Sequence, residues 1–379
     1  MSGIYLHIPF CKQACSYCDF YFVTRHHQQQ EFVDALVGEI MSKKESKFSE
    51  EIVKTIYFGG GTPSLLTPSQ LEQILSAMDS TFKLDLQECT MELNPDDVTK
   101  EYLRDIKSLG VDRASMGIQS FDNDLLAFMH RAHNREEALK CLDHLASEGF
   151  HSFTIDLIYG NPNQTEEMLR RDLEILSAFN PPHVSAYSLT IEEGTRLGKQ
   201  VKLGRIIPPD DDIVAKHFQM VQSGLYSMGI EQYEVSNFAK PGWEAIHNSA
   251  YWNHENYVGL GPAAHSFWWN EDTKSAQRWN NKRDLNSYLK GDWRSGSESE
   301  HLNLLTLVEE RLMLGLRTRK GISEEELQKK YDFKFSTKQL EFLQKKKEEE
   351  LIEFEKGQLS LTKKGLLIAD LIVLDLITA

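Results

Sequence analysis

The chain has 379 residues, of which 40% are hydrophobic, so it can bury a substantial core and extensive disorder is excluded. A net charge of −15 disfavours binding to nucleic-acid phosphates or anionic lipid surfaces. At about 150 residues per domain, this length predicts two or three domains. The N-terminal MSGIYLHIPF lacks the basic start of a signal peptide, and Asp370 and Asp375 interrupt the apolar tail, so we expect a soluble cytoplasmic protein.

Short apolar segments alternate with amphipathic segments through the first 190 residues. Strand and helix alternating six times predicts a parallel sheet with right-handed crossovers. Six units are too few for a closed eight-stranded barrel, so we expect an α/β fold, a partial (β/α)6 barrel, over residues 1–230. The predicted strands are Ile4–Ile8, Thr55–Phe58, Cys89–Leu93, Arg113–Ile118, Phe153–Tyr159 and Val184–Leu189, and the predicted helices include Gln30–Lys43, Thr67–Met78, Lys100–Leu109, Arg135–Glu148 and Thr165–Ala178.

Polar residues gather at the C-terminal ends of these predicted strands. In parallel α/β barrels this rim is where ligands bind. Core packing does not account for polar groups from six strands at one edge, so the rim is the expected binding site. The residues are His7, Gly59 to Thr62, Glu92, Asn94, Gln119, Asp156 and Tyr187.

The pattern changes after the helix that is predicted to start at Asp210 and end near Met228. Residues 231–300 look like loops and strands and are rich in aromatic residues, with five of the six tryptophans between Trp243 and Trp279. Gly291–Glu300 has the composition of a polar linker.

Residues 301–379 predict three helices followed by a hairpin, a smaller α+β domain of winged-helix-like pattern. Such a pattern suggests DNA binding as one function to consider. However, the basic run Lys345–Lys347 is followed by Glu348–Glu350, which favours a solvated helix face, and we expect no nucleic-acid partner.

The five cysteines are unevenly distributed. Cys11, Cys15 and Cys18 fall within eight residues, whereas Cys89 and Cys141 stand alone. In a reducing compartment such a cluster is typical of metal binding rather than of disulfides. Three thiolates can bind three irons of a four-iron cubane and leave the fourth iron open to another ligand.

The alternative for this cluster is a zinc ion with His7, His26 or His27 as the fourth ligand. Ordinary ferredoxins add a fourth cysteine and use different spacing. The aromatic Tyr17, directly before the last cysteine, favours the iron–sulfur interpretation.

The spacing C-x3-C-x-aromatic-C after a first strand resembles the radical S-adenosylmethionine (SAM) superfamily. Other stretches are similar to one branch of it, the oxygen-independent coproporphyrinogen III oxidases and their HemW-type haem-chaperone relatives. The resemblance runs from residue 4 to the C-terminus, and five motifs occur in order on the predicted rim. They are Tyr5–Cys18 (YLHIPFCKQACSYC), Tyr57–Pro63 (YFGGGTP), Glu92–Pro95 (ELNP), Arg113–Phe121 (RASMGIQSF) and Ile155–Gly160 (IDLIYG).

This resemblance implies a 4Fe-4S cluster on the three clustered cysteines, with the open iron chelated by the amino and carboxylate groups of SAM. The reduced cluster would then cleave a carbon–sulfur bond of SAM to give a 5′-deoxyadenosyl radical. Taken alone, without the family resemblance, the glycines would indicate only a tight turn, and Glu92 and Arg131 would be interpreted as charged side chains on the surface. The residues that match the family's SAM site are Tyr5, Tyr17, Gly60, Gly61, Thr62, Glu92, Gln119, Arg131 and Asp156.

Two departures separate this chain from the decarboxylating oxidases. Those enzymes carry a further cysteine two residues after the last cluster cysteine, where this chain has Asp19-Phe20. They also have an N-terminal extension that helps to enclose substrate, whereas this chain begins at the first strand. Both departures disfavour coproporphyrinogen decarboxylation.

The stretch His247–Trp252 (HNSAYW) fits the H-N-x-x-Y-W motif of the HemW-type haem chaperones. Imidazole is a common axial ligand of haem, and aromatic rings can cover a porphyrin face. The alternative is a buried structural histidine, and His265 in GLGPAAHSF is a second candidate ligand. The motif residues that we assign to haem are His247, Asn248, Tyr251 and Trp252.

The sequence therefore predicts a cytoplasmic haem chaperone on a radical SAM scaffold. It would pass haem to apo-haem proteins, such as respiratory enzymes or a haem-storing ferritin. The alternatives are a coproporphyrinogen III oxidase and a radical SAM enzyme with an unrelated substrate. Further expected partners are an electron donor, transient membrane-protein partners and, as one option, a second copy of the chain in a homodimer.

Overall fold

The computed structural model describes residues 3–150, 152–294 and 298–379. Its N-terminal part alternates parallel strands and helices, as predicted. The strands are β1 Gly3–Ile8, β2 Ile52–Gly60, β3 Lys83–Leu93, β4 Arg113–Gln119, β5 Ser152–Tyr159 and β6 His183–Ser188. The helices are α1 Gln29–Met41, α2 Lys47–Glu50, α3 Pro68–Thr81, α4 Lys100–Ser108, α5 Asn123–Phe128, α6 Arg135–Ser147, α7 Glu166–Phe179, α8 Arg196–Lys202 and α9 Asp211–Ser227.

Local sequence explains where these helices begin and which face they bury. Before α3, the Thr67 hydroxyl accepts from the backbone N–H of Gln70, whose side chain accepts from the N–H of Thr67 in return. Pro68 occupies the first helical position, where a missing N–H costs nothing. On α1 the apolar residues of helical spacing, Phe32 and Leu36 among them, are fully buried against the sheet.

Strands β1 to β6 lie side by side in chain order, and each neighbouring pair is parallel. The described strands form an open sheet, which extends beyond β1 and β6 into a mixed sheet of twelve strands. This confirms the predicted α/β fold with an open, partial barrel. The added strands are β7 Glu231–Gln232, β8 Asn237–Ala239, β9 Tyr257–Leu260, β10 His265–Asn270, β11 Ser275–Asn280 and β12 Glu298–Leu302, and the short helices among them are α10 Ile246–Trp252 and α11 Leu285–Leu289.

Two expectations for residues 231–300 were wrong in part. A helix, α10, covers the HNSAYW stretch that we expected in a loop or strand. The expected linker Gly291–Glu300 contains a 3-10 turn at Asp292–Arg294 and the start of β12, whose residue 300 pairs with residue 278 of β11. Residues 295–297 of this stretch lie outside the described residues.

The C-terminal part has the predicted three helices and hairpin, and a short strand pairs with the hairpin. The segment read only as an apolar tail is a further helix, α16, which packs its buried Ile372 and Leu376 into the C-terminal core. That core also takes Phe267 and Trp269 from β10, so it extends into the aromatic-rich segment. The elements are α12 Leu304–Leu316, β13 Ile322–Ser323, α13 Glu324–Tyr331, α14 Thr337–Glu348, β14 Ile352–Glu355, β15 Gln358–Leu361, α15 Lys363–Leu366 and α16 Ala369–Thr378.

Helix length and hydropathy bear on membrane insertion. Among the residues that the structure describes, none of the helices combines the length and the apolar character needed to span a bilayer.

Candidate functional site

The loop after β1 brings the three clustered cysteines to one cavity of about 400 Å³. Cys11, Cys15 and Cys18 are partly buried free thiols. Burial raises the pKa of Cys11 to about 12 and that of Cys18 to about 11. Backbone hydrogen bonds hold the loop, with the Cys11 N–H donating to Val23 O at 3.0 Å and the Ser16 N–H to Met129 O at 3.0 Å.

The donor set of this cavity fits a multi-iron cluster. In the described part of the chain, no three His, Cys, Asp or Glu side chains are placed to hold a single metal ion. The described wall of the cavity holds three thiols and no histidine; His26 bonds instead to the carbonyl of Cys11, and His7 lies in a neighbouring cavity. The site thus provides thiolates for separate irons of one cluster, but not the nitrogen ligand that the zinc alternative requires.

A hydrogen-bond network joins two of these thiols to the rim. Arg131 donates from Nη1 to Cys15 Sγ at 3.4 Å and from Nη2 to Asn94 Oδ1 at 2.8 Å. Asn94 Nδ2 donates to Thr62 Oγ1 at 3.1 Å, and that hydroxyl donates to Cys11 Sγ at 3.6 Å. Arg131 Nε is buried and has no hydrogen-bond partner among the described residues.

The glycines at the C-terminal end of β2 and directly after it allow close backbone approach. Gly60 has φ +107°, and a Cβ there would lie 2.5 Å from the His7 ring. A Cβ on Gly61 would lie 2.6 Å from the carbonyl oxygen of Phe10. Both positions therefore require glycine, and they hold the loop against the start of the cysteine segment.

Two partly buried carboxylates, those of Glu92 and Asp156, face the same cavity. Glu92 accepts from the Tyr57 hydroxyl at 2.9 Å and from the Gly60 N–H at 3.1 Å. Burial and the charge of Asp156 raise the pKa of Glu92 to about 7. Burial likewise raises the pKa of Asp156 to about 6, although Ser115 Oγ donates to it at 3.3 Å. These groups can accept hydrogen bonds from the hydroxyl groups of a ligand.

The structure brings together all but one of the residues predicted for the cluster and SAM. Tyr5 lies in the neighbouring cavity, with its hydroxyl 3.1 Å from His7 Nδ1. Sequence reasoning missed two serines, although strand register gives a signal, since Ser115 pairs with Glu92 and Ser185 with Asp156. The predicted residues that line the cysteine cavity are Cys11, Cys15, Tyr17, Cys18, Gly60, Gly61, Thr62, Glu92, Gln119, Arg131 and Asp156.

His247 is buried on α10, and hydrogen bonds occupy both of its ring nitrogens. Nδ1 lies 2.8 Å from Thr55 Oγ1, and Nε2 lies 2.8 Å from the Tyr251 hydroxyl. Burial lowers its pKa to about 3. The backbone N–H of His247 donates to the Glu88 carboxylate at 3.0 Å, which caps a helix that lacks a capping side chain of its own. In this arrangement His247 has no free nitrogen for a ligand.

The other motif residues lie between two cavities. Asn248 lines the cysteine cavity, whereas Tyr251 lines the second one, which has a volume of about 730 Å³. Trp252 is half-buried, and its carbonyl accepts from Arg311 Nη1 at 3.2 Å. Asp19 and Phe20 line both cavities, so the two adjoin where the oxidases carry a further cysteine.

Comparisons with known proteins define the class of this fold and site. The profile described as Radical SAM superfamily matches residues 5–176, and the profile described as HemN C-terminal domain matches residues 302–368. The match to the structure of Escherichia coli coproporphyrinogen III oxidase (HemN) covers 100% of this chain and 90% of that chain, with a TM-score of 0.83 and 22% sequence identity. The chain thus has a radical SAM fold, with three cysteines on the loop after the first strand.

Relatives by sequence narrow the class. Heme chaperone HemW of Lactococcus lactis subsp. lactis is 34% identical over 366 residues, which are 96% of this chain and 94% of that protein. Heme chaperone HemW of Bacillus subtilis is 33% identical over 87% of each chain. The chain therefore belongs to the HemW family of radical SAM proteins, which confirms the resemblance read from its motifs.

Proposed function

We propose that this chain is a haem chaperone, which binds haem and passes it to apo-haem proteins. The observation that carries the proposal is the position of the HNSAYW helix α10 between the two cavities, with Asn248 on one and Tyr251 on the other. Its relatives named heme chaperone HemW support the same conclusion. The proposed haem acceptors are respiratory haem enzymes, some of them at membranes, or a haem-storing ferritin in the cytoplasm.

The cysteine cavity is proposed to hold a 4Fe-4S cluster and SAM. Cys11, Cys15 and Cys18 would bind the cluster. When SAM is bound, the cluster would supply electrons to it. Arg131 would balance the charge of the thiolates through its bond to Cys15. Glu92 would accept hydrogen bonds from SAM hydroxyls, since its partly buried carboxylate lies at the cavity wall. The proposal also includes an external electron donor that reduces the cluster.

The proposed domain boundaries follow the change in pattern along the chain. Residues 1–230 would form the radical SAM part, residues 231–300 the aromatic segment and residues 301–379 the C-terminal domain. The separate C-terminal core supports the last of these, although it draws on β10 to β12.

Haem titration beside a decarboxylase assay tests the chaperone function. The purified chain should bind haem about one to one and should not convert coproporphyrinogen to protoporphyrinogen with SAM and a reductant. The physical reason is that Phe20 occupies the place of the additional cysteine of the oxidases. A coproporphyrinogen III oxidase serves as the positive control. Steady, SAM-dependent decarboxylation would establish the enzyme alternative instead.

SAM affinity should depend on pH through Glu92. Its pKa of about 7 means that the carboxylate is mostly protonated at pH 6 and mostly ionised at pH 8, and the ionised form is the stronger acceptor. SAM should therefore bind more tightly at pH 8. Glu92→Gln should weaken binding at pH 8 roughly ten- to a hundredfold, as the loss of a hydrogen bond to a charged group predicts. Anaerobic calorimetry on cluster-loaded protein measures both effects.

Glu234→Gln is the matched control for this experiment. Burial also raises the pKa of Glu234 to about 7, but this residue does not line the cysteine cavity. Its variant should keep both the SAM affinity and the pH dependence of the wild type. A wild-type affinity that does not change between pH 6 and 8 would contradict the assignment of Glu92.

A further inference from the structure

The second cavity has the size and lining of a site for a flat aromatic ligand. Its volume of about 730 Å³ lies within the usual range of small-molecule sites. Three aromatic rings contact one another on its wall. The ring centroids of Tyr251 and Tyr257 are 4.6 Å apart and the rings are nearly perpendicular, whereas the rings of Tyr257 and Phe267 are stacked with centroids 6.3 Å apart. Exposed Phe20 contributes a further ring beside the cysteine cavity. Such walls favour burial of a planar apolar molecule.

Three histidines line the described wall of this cavity, and two of them, His7 and His254, are buried. His7 contacts Tyr21 O at 2.8 Å through Nε2, and its Nδ1 contacts a tyrosine hydroxyl. His254 contacts the Tyr331 hydroxyl at 3.0 Å through Nδ1, and its Nε2, which is buried and makes no hydrogen bond within the described residues, lies 3.3 Å from Glu310 Oε2. His265, at the start of β10, is exposed and makes no side-chain hydrogen bond within the described residues. It is thus the exposed imidazole on the described wall of the cavity, and it is free to bind a metal.

Positive charge lies beside this histidine. Partial burial, Arg278 and Arg283 lower the pKa of His265, so both guanidinium groups act on the ring. Arg278 is neutralised by Glu310 at 2.6 Å. Arg283 donates to the carbonyl of Asp19 at 2.7 Å and has no carboxylate partner in the described part of the chain. Its remaining donors suit a ligand carboxylate.

We infer that this second cavity is the haem-binding site of the chain, with His265 as the axial ligand and Arg283 as the partner of a haem propionate. This inference rests on the proposed chaperone function and moves the ligand away from the motif histidine. His247 then has a structural role: its bonds to Thr55 and Tyr251 fix α10 so that Tyr251 forms part of the wall.

The test is a titration of the full-length chain with ferric haem, followed through the Soret band. His265→Ala should weaken haem binding roughly tenfold or more and shift the band, because the axial ligand sets the electronic state of the iron. Added imidazole should restore the wild-type band position. Arg283→Gln should weaken binding severalfold but leave the band in place, since the ligand is unchanged.

Two histidine variants separate this site from its competitors. His301→Ala, an exposed histidine on β12 outside the cavity, should behave as the wild type. His247→Ala should keep the wild-type band position. An unchanged band and affinity in His265→Ala, or loss of the wild-type band only in His247→Ala, would overturn the inference while the chaperone function stands. Failure of the wild-type chain to bind haem would instead refute the proposed function.

Discussion

Cys15→Ala should yield a protein that no longer retains an iron–sulfur cluster, whereas Cys89→Ala should reconstitute with about four irons and four sulfides per chain. Cys15 lies on the cavity wall and receives a hydrogen bond from Arg131 at 3.4 Å. Cys89 is 1% exposed within β3 and lies outside the cavity, so its thiol has no access to the irons. Anaerobic reconstitution followed by iron and acid-labile sulfide analysis measures the difference.

Cys141→Ala is a second control for this prediction. Its thiol is buried on α6, where it donates to Met116 Sδ at 3.5 Å, so its loss should cost packing but no iron. SAM binding should disappear together with the cluster in Cys15→Ala and persist in both controls. One zinc per chain without labile sulfide in the wild type would contradict the cluster assignment.

Several residues that we assign to the cluster and SAM follow one local pattern repeated along the chain, whereas Arg131 was assigned only from the family resemblance. Gly60 and Gln119 end their strands, and Glu92 and Asp156 lie in the C-terminal halves of theirs. The C-terminal ends of parallel strands meet at the same edge of a sheet. Glu92 and Asp156 therefore meet in space, although a whole βαβ unit and more separates them in sequence. Tyr5 departs from this pattern because it lies in the first half of β1, opposite Tyr57.

The HNSAYW motif could be recognised from the sequence, but the hydrogen-bond partners that surround it in the fold could not. The partner of His247 Nδ1 is Thr55, 192 residues away, and the carboxylate that caps α10 comes from Glu88, 159 residues before His247. Neither contact has a local signature. The seven-residue helix itself has no capping side chain at its N-terminus, so the aromatic-rich stretch resembled a loop or strand. Long-range hydrogen bonds thus decide which histidine remains free.

A buried carboxylate on α1 holds the chain that leads to His265. Glu39 is 2% exposed and accepts from the Gly261 N–H at 2.9 Å, from Asn281 Nδ2 at 2.7 Å and from the Tyr288 hydroxyl at 2.7 Å. Gly261 has φ +97°, and a Cβ there would lie 2.5 Å from the carbonyl oxygen of His7. This contact therefore joins α1 and β1 to the short connection between β9 and β10.

Glu39→Ala should lower the free energy of unfolding by about 3 kcal/mol or more, because three buried donors lose their acceptor and each unpaired group costs at least about 1 kcal/mol. Urea unfolding measures this change. Glu31→Ala, at an exposed position of the same helix, should alter the free energy by less than about 0.5 kcal/mol. Since the connection leads directly into His265, the folded Glu39→Gln variant should also bind haem more weakly than the wild type. Equal stability of Glu39→Ala and Glu31→Ala would show that this carboxylate does not hold the haem cavity in place.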